Sequence, residues 1–323
     1  MAKATILIPN YNNALYMEAC LNSIQKQTFK DFKILIVDDG STDNSIEIIQ
    51  NFIDDRIELI HKTPNSGIVD TLNMGLKKIT SDYMIRMDGD DLMREDRVEK
   101  LVKFMDENPE FGVCGSGIEQ FGLSDKKVIY ETDPIKNKAN LVFQHTIGHA
   151  SCIFRMSVMS EHNISYSNGY KLLEDYKIFS DLSQITKLTS IPDLLYLYRQ
   201  EDYNQEHVYV PVKKPGFLKI YTELLTKLQF ENPEKSALIH YELHKNVELT
   251  HTIKTYKAHI SSLISQNEQL NIFPREAFNE KVNYTFDVFF YKLVDQNKIS
   301  FRESILLTAF SPKKMYYFIK SKR

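Results

Sequence analysis

The sequence predicts an α/β fold: a mixed, mainly parallel sheet flanked by helices, followed by a helical C-terminal region. Three observations carry this. Short apolar runs alternate with segments of helical period through the first hundred residues, a polar loop follows each run, and glycine disappears after Gly216, where long helical patterns take over. Residues 5–8 form an apolar run suited to a strand buried on both faces. Residues 15–26 carry Met17, Cys20, Leu21 and Ile24 at helical spacing. Further strands are expected at 32–37, 57–60 and 83–87, and helices at 45–52, 69–79 and 95–105, with Asp43 as the candidate cap of the second helix.

The pattern loosens after Pro109. Strands are expected at 113–118 and 126–131, paired as a hairpin, and at 151–154 ahead of a short helix. A helix follows at 176–182, with extended stretches at 187–191 and 194–199. Helical periodicity then covers 217–230, 234–265, 274–295 and 301–310. The polar segment 200–215, with Pro211 and Pro215, is the linker candidate, so the expected domains are 1–212 and 213–323.

The chain has 323 residues, 42% hydrophobic and 26% charged, which is ordinary for a soluble globular protein with a proper core. A net charge of −3 excludes nucleic-acid binding through bulk charge. Cys20, Cys114 and Cys152 are too widely spaced for a metal site, and their odd number argues against a disulfide framework and for a reduced, cytoplasmic setting. No apolar stretch has the length of a bilayer span, so the protein is expected to work without crossing a membrane.

In open α/β sheets, ligands bind beyond the carboxyl ends of the parallel strands. The loops expected there are 9–13, 38–43, 65–67 and 88–91. The run Asp88-Gly89-Asp90-Asp91 is the sharpest signal. Residues two apart in an extended segment point the same way, so Asp88 and Asp90 can converge. Clustered carboxylates repel unless protons or a cation intervene, and Mg²⁺ or Mn²⁺ with oxygen ligands is the natural partner. The competing reading is a solvated acidic turn capping the next helix. Asp38-Asp39 is weaker, and taken alone an Asx turn ahead of a helix is the favoured account of it.

In order along the chain come Ile8-Pro9-Asn10-Tyr11-Asn12, Val37 to Asp43, Asn65-Ser66-Gly67, Leu72-Asn73-Met74-Gly75, Arg86 to Asp91, and Arg97. Together they resemble family 2 glycosyltransferases of the GT-A (Rossmann-like) fold over roughly residues 4–200. The resemblance implies an inverting, metal-dependent enzyme that moves a sugar from a UDP-sugar to an acceptor hydroxyl of a surface glycan or lipid-linked oligosaccharide. It gives Pro9, Tyr11, Asp39, Asn65 and Gly67 to the nucleotide, with Tyr11 stacking on the base and Asp39 hydrogen-bonding it so as to select uracil or thymine. Asp88 goes to the ribose or the metal, and Asp90 and Asp91 to Mn²⁺ or Mg²⁺. The segment Leu173-Glu174-Asp175-Tyr176 resembles the family's acidic motif, which makes Asp175 the general base and sets Glu174 against a sugar hydroxyl. Alone, Asp175 reads as an acid favoured at a helix N-terminus. His149 suits a phosphate or acceptor contact and, equally, a packed, hydrogen-bonded histidine. Tyr198-Arg199 lacks the histidine common nearby in the family. Arg199 is the better charge contact and His207 the weaker.

Four rival readings are a non-catalytic nucleotide- or carbohydrate-binding module of the same fold, a dTDP-sugar-dependent transferase, a nucleotidyltransferase, against which the loop 9–13 lacks glycine and basic residues, and a phosphoacceptor signalling domain. The complete set Asp39, Asp88, Asp90, Asp91 and Asp175 argues against the first, and the length of the chain against the last. The tail carries Lys313, Lys314, Lys320, Lys322 and Arg323 among aromatic residues. It suits peripheral contact with the inner, anionic membrane surface, with a packed helix and a solvated basic end held slightly ahead. The helices from 217 to 295 offer a homodimer interface or an acceptor platform.

Overall fold

The computed structural model describes residues 2–201, 206–245 and 249–295, with backbone alone at 206–210 and 294–295. The expected alternation holds. The strand β1 (Ala4–Asn10) leads to the helix α1 (Ala14–Gln25), β2 (Phe32–Asp38) to α2 (Ser45–Asn51), and β3 (Ile57–His61) to α3 (Ile68–Lys78); β4 (Tyr83–Arg86) follows. All of β1 is buried, as its continuous apolar run requires, and Ile6, Ile8, Ile34, Ile36 and Ile85 are sealed in the core beneath Met17, Cys20 and Ile24 of α1. Each such fully buried side chain contributes about 1.5–3 kcal/mol.

A two-residue strand, β5 (Leu92–Met93), precedes α4 (Arg97–Glu107). The strand β6 (Phe111–Gly122) then forms the expected hairpin with β7 (Lys127–Val128). A short helix that the periodicity did not reveal follows, α5 (Pro134–Asn140). Its signal is a proline at the first helical position behind Asp133, whose carboxylate accepts the amide of Ile135. A 3-10 turn (His149–Ser151) leads to β8 (Ile153–Arg155), α6 (Met156–Glu161) and α7 (Glu174–Leu182). The two extended stretches after it are one strand, β9 (Lys187–Gln200). Its register with β6 jumps from Ser116↔Ile191 to Gly117↔Leu194, so Pro192 and Asp193 form a bulge and the missing proline N–H costs no ladder bond.

Among the described residues the strands make one sheet in the order β3-β2-β1-β4-β8-β6-β9-β5, with β7 on β6. The strands β1 to β4 are mutually parallel, while β8 runs antiparallel to β4 and to β6. Asn10, Asp38 and His61 therefore fall in register on one carboxyl edge.

The chain divides into two compact units between Val212 and Lys213. The part of the expected linker from 206 to 215 lies within a helix, α8 (Glu206–Lys227), which runs through Pro211 and Pro215. The proline rule predicted a break there, yet the backbone stays helical through both residues. In the second unit the single helix expected over 234–265 is two, α9 (Pro233–Lys245) and α10 (Ile253–Leu270). Thr252 caps α10 through its hydroxyl, which accepts the amide of Thr255. The helix α11 (Arg275–Asp295) packs on both. Glu242, almost wholly buried, accepts from Thr250, His251 and Tyr256. The expected helix at 301–310, the basic tail and the side chain of His207 lie outside the described residues.

Candidate functional site

The strand-end loops enclose a cavity of about 520 Å³, within the usual range for small-molecule sites. Its wall includes Pro9, Tyr11, Asp39, Asn65, Gly67, Asp88 and Asp90. The first two loops are laced together. Asn12 N–H donates to Ser41 Oγ at 2.9 Å, Thr42 N–H to Asn12 Oδ1 at 2.8 Å, and Ala14 N–H to Asp43 Oδ2 at 2.9 Å. Asp43 also accepts the amide of Ser45, so it serves the start of α2 from one position further out than a cap residue. Asp38 forms the Asx turn. One of its oxygens accepts the amides of Gly40 and Ser41 and faces His61 Nδ1, and the other accepts Asn10 Nδ2 at 2.6 Å. Burial opposes the Asp38 charge, but the bonds from Ser41, His61 and Asn10 outweigh it and hold the pKa below the ordinary carboxylate value.

Asp39 does different work from its neighbour. Its two oxygens accept the amides of Ser66 and Gly67, each at 2.8 Å, and Lys62 Nζ lies 2.8 Å from Oδ1. The third loop is thus hung on Asp39. Gly67 there has φ +92°, a conformation that L side chains rarely adopt. Tyr11, 48% exposed, offers a free aromatic face at the cavity mouth.

The aspartate run separates into three environments. Asp88 Oδ1 pairs with the buried Arg86 at 2.6 Å. Burial, then the charge of Asp88, pushes the pKa of Asp90 up to about 6. Asp91 is buried behind the cavity and does not line it: Oδ2 accepts the hydroxyl of Tyr196 at 2.5 Å, and Oδ1 accepts the amide of Arg199 at 2.6 Å. Burial and the charges of Asp88 and Asp90 raise its pKa further. Arg97, fully buried, donates to the carbonyls of Arg86 and Ala150 and so braces the start of this loop. Gly89 is needed for space, since a Cβ would meet Met17 Cε at 2.9 Å and Asn13 Nδ2 at 3.0 Å.

The chemistry of this wall fits a hard divalent cation. Asp88 and Asp90 supply carboxylate oxygens, burial makes the Asp90 charge costly alone, and Asn10 Oδ1 is a buried oxygen in the same wall with no hydrogen-bond partner. Among the described residues no group of three or more His, Cys, Asp or Glu side chains is set to hold an ion by itself. A cation here would therefore complete its shell from phosphate oxygens and water.

Arg199, Glu174, Asp175 and His149 do not line the cavity. The guanidinium of Arg199 lies between the rings of Tyr16 and Phe121, 4.5 Å from each centroid, and Nε donates to the carbonyl of Asp90. His149 is packed, with Nε2 2.8 Å from Tyr166 Oη; burial pulls its pKa down to about 4 and leaves it neutral. Glu174 and Asp175 open α7, and Asp175 Oδ2 lies 3.1 Å from His145 Nε2. Burial opposes the Asp175 charge, but His145 outweighs it and holds the carboxyl well below its usual range. Sequence reasoning assigned no role to Asn10, Asn13, Ile68, Thr71 or Tyr198 in the wall, or to Arg86, His145 and Tyr196 around it. Asn10 and Arg86 stood inside the motifs and Asn13 in the first strand-end loop, whereas His145 and Tyr196 carried no local signal.

The family model for Glycosyl transferase family 2 matches residues 5–162, which hold the four parallel strands and most of the cavity wall. An uncharacterized glycosyltransferase of Haemophilus influenzae is 28% identical over 235 residues, covering 69% of this chain and 73% of that protein. A poly(ribitol-phosphate) beta-glucosyltransferase of Bacillus spizizenii is 25% identical over 272 residues, covering 78% of this chain and 42% of that protein. Among solved structures, S. aureus TarS 1–349 in complex with UDP-GlcNAc superposes with a TM-score of 0.63 at 17% identity, covering 99% of this chain and 90% of that one. With its motifs gathered on the carboxyl edge of a GT-A sheet, the chain shares the fold of TarS 1–349, and its residues 5–162 match Glycosyl transferase family 2.

Proposed function

We propose that the chain is an inverting, metal-dependent transferase that moves a hexose or N-acetylhexosamine from a UDP-sugar to a hydroxyl of a surface glycan or lipid-linked oligosaccharide. One observation carries this reading: an aromatic face (Tyr11), a loop-anchoring carboxylate (Asp39) and two further carboxylates (Asp88 and Asp90) line a single cavity of nucleotide-sugar size. Pro9 and Tyr11 bind the base face, and Asn65 and Gly67, on the loop that Asp39 holds by the amides of Ser66 and Gly67, define its edge. Mn²⁺ or Mg²⁺ held by Asp88 and Asp90 would neutralise the diphosphate as it leaves, while Asp91 and Arg199 hold that loop from behind. Asp175 takes the proton of the acceptor hydroxyl as its oxygen attacks the anomeric carbon, and a single in-line displacement inverts that centre. Glu174 is given to a sugar hydroxyl beside it.

UDP-GlcNAc in TarS and the polymer in the name of the Bacillus spizizenii relative support a UDP donor and a polymeric acceptor. Among the described residues no helix is long and apolar enough to cross a membrane. The proposed setting is the cytoplasmic face of the membrane, with the basic tail as a peripheral contact. The deciding experiment is calorimetric titration of UDP, dTDP and GDP, with Mn²⁺ and then with chelator. Metal-dependent binding that favours UDP is expected. Tighter dTDP binding would redirect the donor assignment, and no binding under either condition would sink the reading in favour of a non-catalytic module. In the second arm, Asp175→Asn should keep UDP binding and lose transfer by about 10²–10⁴-fold; transfer at the wild-type rate would remove Asp175 as the base.

A further inference from the structure

Asp175 has a partner that none of the motifs contains. His145 lies between α5 and the 3-10 turn, and both of its ring nitrogens are engaged. Nδ1 is 2.9 Å from the carbonyl oxygen of Ile147, and Nε2 is 3.1 Å from Asp175 Oδ2. A carbonyl oxygen only accepts, so Nδ1 carries a hydrogen. An ionised carboxylate also only accepts, so Nε2 must carry one too. The contact therefore pairs an imidazolium with a carboxylate. The ring is also packed, with its centroid 6.0 Å from that of Tyr176 and 5.6 Å from that of Phe179. The other carboxylate oxygen, Asp175 Oδ1, accepts the amide of Tyr176 at 2.7 Å. Both oxygens are thus tied, one to the backbone of α7 and one to His145.

We propose that His145 is the positioning residue of the base: its imidazolium fixes the Asp175 carboxylate, charged and oriented, at the first turn of α7. The proposal rests on the reading of Asp175 as the base. In the step it serves, the acceptor O–H bond breaks and its proton goes to Asp175. The oxygen's electron pair forms the bond to the anomeric carbon, and the bond to the diphosphate breaks with its pair leaving on the diphosphate. His145 neither gains nor loses a proton, and the proton on Asp175 afterwards passes to solvent.

The charged and titratable groups around the pair come from several elements. They include neutral His149, Glu174 beside the base, the buried thiol of Cys152 and the phenols of Tyr130 and Tyr166, with Arg86 at the end of β4 acting on His149 and Tyr166. Burial, then Arg86 and the nearby His145, keep His149 neutral, while His145 makes the direct contact with Asp175.

The test uses the full chain labelled with ¹⁵N-histidine, with the His145 signals assigned by their loss in His145→Gln. At pH 7.5 both ring nitrogens of His145 should show imidazolium shifts, and in Asp175→Asn they should change to those of a neutral ring protonated at Nδ1. A neutral His145 in the wild type, or identical spectra in the two proteins, would overturn the proposal. Kinetics supply the second readout. His145→Ala should lower kcat by on the order of tenfold to a hundredfold, part of the ~10²–10⁴ that a general base supplies, with the donor KM unchanged. His145→Gln, which can still donate an N–H to Asp175, should recover part of that loss. A fall in kcat with no recovery in Gln, or a parallel rise in KM, would make His145 merely structural. If the wild type transfers no sugar from any donor, the reading of Asp175 fails, while the ring spectra still decide whether the pair exists.

Discussion

Asp38 and Asp39 are adjacent in sequence and opposite in use. Asp38 is consumed by its own turn, while Asp39 reaches across to hold the 66–67 backbone. Asp90 is the residue at which function costs stability. Its raised pKa means that the folded state holds the proton more tightly than the unfolded chain does, so its ionisation destabilises the fold as pH rises from the ordinary carboxylate range through about 6. A bound cation offsets that cost. Asp90→Asn should therefore raise the Tm in chelator at pH 7.5 and abolish the further rise that Mn²⁺ with UDP gives the wild type. Thermal scans in chelator and in metal plus nucleotide check both; a lower Tm in chelator would mean that burial is not what strains Asp90.

At the scale of elements, the aspartate loop is held by β9 rather than by its own strand. Tyr196 accepts the amide of Asp88 at 3.2 Å and donates to Asp91, and the amide of Arg199 covers the other oxygen. Tyr196→Phe removes one buried donor and leaves the Asp91 oxygen unsatisfied, at a cost of about 1–3 kcal/mol. A matching drop in denaturant midpoint is expected, together with weaker metal-dependent UDP binding; an unchanged midpoint would show that Asp91 finds another donor. The packing of α3 on β1 depends on Gly75, where a Cβ would stand 2.3 Å from Leu7 Cδ1 inside the core. Gly75→Ala should cost about 1–3 kcal/mol of overpacking strain, read from the same denaturation curves. The motif around Gly75 thus carries packing at Gly75 and, at Asn73, a two-way bond to the backbone of Tyr166.

At the scale of the whole molecule, the two units should answer acid differently. His259 is buried and His244 half-buried in the second unit, and desolvation holds both well below the ordinary histidine value. A base whose folded pKa is depressed binds fewer protons folded than unfolded. Stability of that unit should therefore fall as pH drops below about 6.5, whereas in the first unit the same loss from His149 is opposed by Asp90 and Asp91, whose raised pKa values favour the fold as pH falls. Hydrogen exchange followed by mass spectrometry at pH 7.5 and 5.5, corrected for intrinsic rates, should show protection lost in α9 and α10 before β1 and β2. Equal loss in both units would contradict it.

Local periodicity in the sequence determined the strands and helices of the first hundred residues, because a strand buried on both faces needs a continuous apolar run and its covering helix needs an apolar stripe. It also determined that polar loops would share one edge, since parallel strands end on the same side. Seven of the residues named for the nucleotide and metal stand in one cavity for that reason: Pro9, Tyr11, Asp39, Asn65, Gly67, Asp88 and Asp90. Only the tertiary structure decided that Asp91 turns inward, that Arg199 is clamped between two rings, and that Asp175 meets His145. Those contacts join residues 30 to 183 positions apart. Neither periodicity nor a motif encodes such a meeting, because it arises from how β9 and α7 pack against loops fixed much earlier in the chain.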